Sequence, residues 1–109
     1  MSNCMDNNNL DITKILKKYP DKIPIILISK NKNVKLDKYK YLVNLQIPMG
    51  MFIFTLLKNN NLKNSHGIYL TTTELIMVNS QDTAEYLYYK YKSDNGALYL
   101  NINTENTFG

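Results

Sequence analysis

Arginine is absent from this chain: all thirteen basic side chains are lysine, although the formal charge is +4. The planar fork that grips a phosphate or reads a guanine edge through two parallel hydrogen bonds is therefore missing, which counts against a nucleic-acid reader. Cysteine occurs once, as Cys4, so no internal disulfide can form; no Asn-x-Ser/Thr sequon is present either. Both point to the reducing cytoplasm. Histidine also occurs once, and His66 sits among Asn64, Ser65 and Gly67, without a partner at metal-ligand spacing or a nucleophile to activate. No Gly-rich loop that could cradle a phosphate appears. Among the apolar runs, Ile23 to Ile28 is too short to span a bilayer, and Ile47 to Leu57 is too short and interrupted. The first residues lack the basic and apolar blocks of a signal peptide. No catalytic constellation, cofactor site or metal site is expected.

What is present suits one modest domain: 109 residues, 44% of them hydrophobic. Charge is unevenly placed. Residues 1–66 hold eleven lysines and four acids, whereas residues 67–109 hold two lysines and five acids. A solvated basic face is the plain reading of the front half, and an acidic partner the functional one. Asparagine clusters at Asn7 to Asn9 and at Asn59 to Asn61 read as loop filling. The tyrosines Tyr86, Tyr88, Tyr89 and Tyr91, at helical spacing, read as a core edge rather than a base-stacking platform.

Along the chain, residues 1–9 are polar, and an amphipathic helix follows with Leu10, Ile15 and Leu16 toward one side, stopped by Tyr19-Pro20. Ile23 to Ile28 is an apolar, β-branched run suited to an inner strand, with Pro24 where no ladder donor is needed. Lys40 to Leu45 alternates and reads as an edge strand. Ile47 to Asn59 reads as the main core helix, with Pro48 in its first turn and Met49, Phe52, Ile53 and Leu56 inward. Ile68 to Thr72 and Leu75 to Val78 are expected strands, and Ser80 is the expected N-cap of a helix over 81–92. Asp94-Asn95-Gly96 is a turn signal before a strand at Ala97 to Ile102, and residues from Asn103 on show no pairing pattern. The order predicts an α+β, ubiquitin-like β-grasp with an N-terminal helix extension. It divides into a flexible polar N-terminus at 1–9, a domain at 10–103 and a flexible tail at 104–109.

Three blocks carry a family resemblance. Lys17-Lys-Tyr-Pro-Asp-Lys-Ile-Pro-Ile-Ile26 resembles the signature around the first strand of the GABARAP-type autophagy modifiers. Lys38-Tyr-Lys-Tyr-Leu-Val43 with Gly50-x-Phe52 resembles their edge strand and following helix. Leu87 to Tyr99 and Glu105-Asn-Thr-Phe-Gly109 resemble their last helix, last strand and conjugating tail.

The resemblance implies a modifier, not an enzyme. Its terminal Gly109 would be activated as an adenylate, passed to cysteines of activating and conjugating enzymes and amide-linked to phosphatidylethanolamine, with a cysteine protease that processes or delipidates it. It implies a monomer in the cytoplasm that moves to autophagosomal or other vesicle membranes when lipidated, with no nucleic-acid partner. It also implies docking of cargo receptors through an aromatic-x-x-aliphatic peptide. By resemblance, the aromatic pocket takes Asp11, Ile15, Pro24, Ile26, Lys40, Leu42 and Ala97. The aliphatic pocket takes Tyr41, Val43, Ile47, Phe52 and Leu56. Lys22, Lys38 and Lys40 would attract acidic flanks. Ala97 stands where the family usually has phenylalanine, which implies a wider or partly empty aromatic pocket, and Thr55 where it usually has leucine. The family's first helix is expected to be missing. Two other readings stay open: a non-covalent peptide-binding module of the same fold, and a modifier attached to a protein lysine.

Overall fold

The computed structural model describes residues 12–29, 36, 38–60 and 68–104. Residues 12–18 form helix α1. Then come β1 (Lys22–Ser29), β2 (Lys40–Asn44), α2 (Met49–Asn59), β3 (Ile68–Thr72), α3 (Ala84–Tyr91) and β4 (Leu98–Thr104). The four strands make one mixed sheet in the order β2-β1-β4-β3. β1 and β4 run parallel at its centre, and the outer pairs are antiparallel. This is the ubiquitin-like arrangement.

Side-chain alternation divides the sheet into two faces. Ile23, Ile25 and Leu27 of β1, Tyr41 and Val43 of β2, Leu70 of β3 and Leu98, Leu100 and Ile102 of β4 are buried on the inner face. Met49, Phe52 and Leu56 of α2 and Ala84 and Leu87 of α3 join them in one core. Ile12 and Ala97 are buried too, yet lie outside that cluster: Ile12 faces the outer side of the sheet near Gly96, and alternation turns Ala97 away from the inward Leu98. Pro24 fits because the β1–β4 ladder opens one residue later, at Ile25↔Leu98, so its missing N–H removes no rung.

Four local expectations are corrected. Ser80 does not cap the last helix. α3 starts at Ala84 with Thr83 as N-cap, its side chain accepting from the Tyr86 amide. The preceding residues are held elsewhere, since the carbonyls of Asp82 and Ser80 accept the amides of Met49 and Gly50 over 2.8 and 2.9 Å. That pairing ties the starts of α2 and α3 together and shortens the helix. Pro48, likewise, is the N-cap of α2 rather than part of its first turn.

Leu75 to Val78 forms no strand. It folds back on β3 through a single bridge, Thr71↔Met77, with Leu75 at φ 65°. The buried Thr72 side-chain oxygen, accepting the Glu74 and Ile76 amides, tightens that return into a turn. Finally, Asn103 and Thr104 pair with Tyr69 and Ile68. β4 thus runs past the expected domain end because β3 supplies a partner invisible to local pattern.

Candidate functional site

β2 is one of the two edge strands of the sheet, β3 being the other. The Leu27 amide donates to the Tyr39 carbonyl over 2.8 Å. Residues 39, 41 and 43 therefore direct their backbone groups toward β1, and the N–H and C=O of Leu42 point to the open side.

An apolar hollow of about 190 Å³ lies on the outer face beside this edge. Its walls follow from register. Pro24 stands opposite Leu42 and Ile26 opposite Lys40, and alternation places all four on the outer face. α1 closes the other side with Ile12 and Ile15, while Lys38 and Lys40 complete the lining with Ile25 and Tyr41. Five of the residues expected for the aromatic pocket, Ile15, Pro24, Ile26, Lys40 and Leu42, thus come together. Ala97 does not line the hollow. It is fully buried. Asp11 lies outside the described residues.

The second expected group sits on the opposite face of β2. Tyr41, Val43, Phe52 and Leu56 are buried in the main core, and Ile47 is half-buried against it. The Tyr41 and Phe52 rings meet edge to face at 5.4 Å, a favoured arrangement for two aromatic quadrupoles. Leu56 is wholly enclosed. Thr55, half-buried, donates its hydroxyl to the Met51 carbonyl within its own helix.

The charged rim is ordered at one point: Lys38 Nζ lies 5.1 Å from the centroid of the Tyr41 ring, a cation held over a π face. Lys22 opens β1 opposite Asn44. Lys38 and Lys40 are exposed. Gly109 lies outside the described residues. Among the described residues, no cluster of side chains could hold a metal ion, and no helix is long and apolar enough to cross a membrane.

Besides Ile25, which lines the hollow from β1, two parts of the site are missing from the sequence reading. Ile12 is one; its spacing to Ile15 and Leu16 is the helical signal that finds it. Asn60 is the other. It is buried beside β2 and bonded to Tyr41 and Lys38. Nothing in an Asn triplet marks it.

Comparisons with known proteins agree with this architecture. The family model described as autophagy protein Atg8, ubiquitin-like, matches residues 7–109. Autophagy-related protein 8 of Schizosaccharomyces pombe is 33% identical over 98 residues, covering 88% of this chain and 80% of that protein. Autophagy-related protein 8e of Arabidopsis thaliana is 29% identical over 111 residues, covering 100% of this chain and 90% of that protein. The crystal structure of Trypanosoma brucei ATG8 superposes with a TM-score of 0.79 at 29% identity, covering 95% of this chain and 90% of that one. By its sequence and by its fold, the chain belongs to the Atg8 family of ubiquitin-like autophagy proteins.

Proposed function

We propose that the chain is a conjugated modifier. Gly109 is joined to phosphatidylethanolamine, and the β2 edge recruits cargo or adaptor proteins that carry an aromatic-x-x-aliphatic peptide. One observation supports the docking half: an apolar hollow lies on the outer face beside the open edge of β2, and on the strand's opposite face only Ile47 of the second group is half-buried rather than buried. In an extended peptide, side chains three positions apart point to opposite sides. A peptide added to β2 therefore directs its aromatic side chain to the outer hollow of Ile15, Pro24, Ile26 and Leu42. Its aliphatic side chain turns to the inner margin at Tyr41, Val43, Ile47 and Phe52. Backbone bonds supply affinity, and the two receptors supply choice. Lys22, Lys38 and Lys40 favour acidic residues beside the motif and speed encounter.

The conjugation half is supported by family membership, with the matched region running through residue 109. Glycine suits the step because it has no side chain to obstruct a narrow enzyme channel. Its carboxyl attacks ATP to form an adenylate and release pyrophosphate, an enzyme thiol displaces AMP to give a thioester, and the lipid amine attacks the thioester; an amide forms and the thiol leaves. The lipid's two acyl chains meet the requirement of two anchors for stable attachment. In this reading the chain works with activating and conjugating enzymes and a delipidating protease. It passes between cytoplasm and vesicle membrane and supplies no catalytic group.

The test is reconstitution with activating and conjugating enzymes, ATP and phosphatidylethanolamine vesicles. Wild type floats with the vesicles and gains the mass of the lipid; Gly109→Ala does neither. Flotation of the Gly109→Ala product sinks the assignment. A wild-type adduct on a protein lysine replaces the lipid with a protein target. Peptide binding by a chain that no conjugating system accepts leaves a non-covalent module.

A further inference from the structure

We infer that Asn60 is a positioning residue for peptide docking: acting through the Lys38 amide, it closes one end of the β2 ladder, so that the edge accepts a strand about as long as the aromatic-x-x-aliphatic motif and no longer. The inference rests on the docking reading above.

Alternation turns the backbone groups of Leu42 away from β1, to the side where a peptide pairs, and the same alternation applies two and four residues earlier. Four residues earlier stands Lys38, and neither of its groups is open. Its amide donates to Asn60 Oδ1 over 3.0 Å, and its carbonyl accepts the Tyr41 hydroxyl over 2.8 Å. At the other end, the Asn44 carbonyl accepts the Ile47 amide over 3.2 Å and its side-chain oxygen the Gln46 amide over 2.9 Å, which turns the chain aside. Both ends of the edge are thus closed by the chain's own groups, with Leu42 between them. β2 has five residues, and a strand of that length spans about 17 Å, against about 14 Å for a four-residue motif.

Asn60 is the part of this closure that a longer peptide would have to displace. Lys38 is exposed, so its amide would be within reach of a strand continuing along the edge. The Asn60 side chain cannot turn aside cheaply. It is buried, and its Nδ2 donates to the Tyr41 hydroxyl over 2.7 Å and to the Leu56 carbonyl over 3.0 Å; rotation breaks all three bonds at once. A longer open ladder would bind any extended segment through its backbone, whatever its side chains. Closing it leaves the choice to the hollow, the inner margin and the lysines. The hollow includes Lys38 and Leu42, while Ile47 adjoins the Asn44 end, so residues ahead of the aromatic anchor are the ones that would run past Lys38.

The experiment titrates two peptides calorimetrically into wild type, Asn60→Ala and Asn60→Asp: the motif with short capped ends, and the same peptide lengthened by three threonines ahead of the aromatic residue. Threonine is neutral and suits an extended chain. Wild type binds both equally. Asn60→Ala binds the longer peptide about fivefold more tightly than the shorter, the worth of one net hydrogen bond, and only the longer peptide slows hydrogen exchange at the Lys38 amide. Asn60→Asp keeps an acceptor for that amide and again binds both equally. In wild type alone, N-methylation of the added threonines costs no affinity, whereas N-methylation inside the motif does, so the test survives variants that do not fold.

A longer peptide that binds wild type more tightly, or that weakens when its added threonines are methylated, reveals an open ladder and overturns the inference. So do equal affinities in Asn60→Ala, or a gain that Asn60→Asp shares. A wild type that binds neither peptide overturns the docking reading itself.

Discussion

Asn60 joins the end of α2 to the entrance of the edge strand through Tyr41. Its side-chain amide donates to the Tyr41 hydroxyl over 2.7 Å and to the Leu56 carbonyl over 3.0 Å. Its side-chain oxygen accepts the Lys38 amide over 3.0 Å, and the Tyr41 hydroxyl donates to the Lys38 carbonyl over 2.8 Å. At 4% exposure Asn60 has little access to water, so the network must satisfy itself.

Asn60→Ala is therefore expected to lower stability by about 2 kcal/mol, because the Lys38 amide and the Tyr41 hydroxyl lose a buried partner. Urea denaturation measures it. Hydrogen exchange at residues 38–41 accelerates more than the global loss explains. A loss below about 0.5 kcal/mol, the lower end for one net hydrogen bond, contradicts the network's role.

Leu42→Asp separates docking from folding. Leu42 is 37% exposed and faces the hollow from the outer side, so the fold tolerates the change, while an apolar anchor meets a carboxylate. Affinity for the aromatic-x-x-aliphatic peptide falls at least about tenfold, or about 1.4 kcal/mol, with the thermal midpoint little moved. Lys40→Glu weakens binding most for peptides with acidic flanks and reduces the salt dependence of their association rate. Unchanged affinity in Leu42→Asp removes the hollow from the binding site.

Leu75 is 77% exposed at φ 65°, a backbone conformation that costs an ordinary L-residue roughly 1–2 kcal/mol. Little packing is at stake. Leu75→Asn is expected to raise stability by about 0.5 kcal/mol, since asparagine is far commoner at positive φ. A destabilised variant in urea would show that the leucine side chain contributes more than the strain costs.

Burial, and then the neighbouring Tyr89, hold the Tyr88 hydroxyl above its ordinary pKa of 10.0. The folded state thus keeps this proton to higher pH than the unfolded chain does. Its contribution is whole below about pH 10 and is lost as pH rises through the raised folded value. Tyr88→Phe loses about 1 kcal/mol at neutral pH with the bond to Gly96, yet falls less between about pH 8 and pH 11, the range that spans tyrosine ionisation. Urea midpoints at the two pH values measure this; an equal alkaline fall in both proteins refutes it.

Much of the fold is legible in the residues. β1 is the inner strand that its apolar run announces, β2 alternates as the chain reads, and Met49, Phe52 and Leu56 face inward at helical spacing, because these periods are properties of the local backbone. Ser80 misleads, since its carbonyl is committed to Gly50 across the fold and Thr83 becomes the cap. The strand expected at Leu75 to Val78 fails because the Thr72 hydroxyl offers the backbone a tighter alternative. β4 outruns the expected domain because pairing with β3 is decided between strands.

The site divides in the same way. Family motifs name the two groups of pocket residues, and alternation alone assigns Leu42 and Val43 to opposite faces of the edge strand. Which residues touch is another matter. That Asn60 braces Tyr41, and that Leu16 and Ile12 lie against Gly96, depends on segments distant in the chain arriving side by side. Local preference determines which way a side chain points; only the folded chain determines what it meets there.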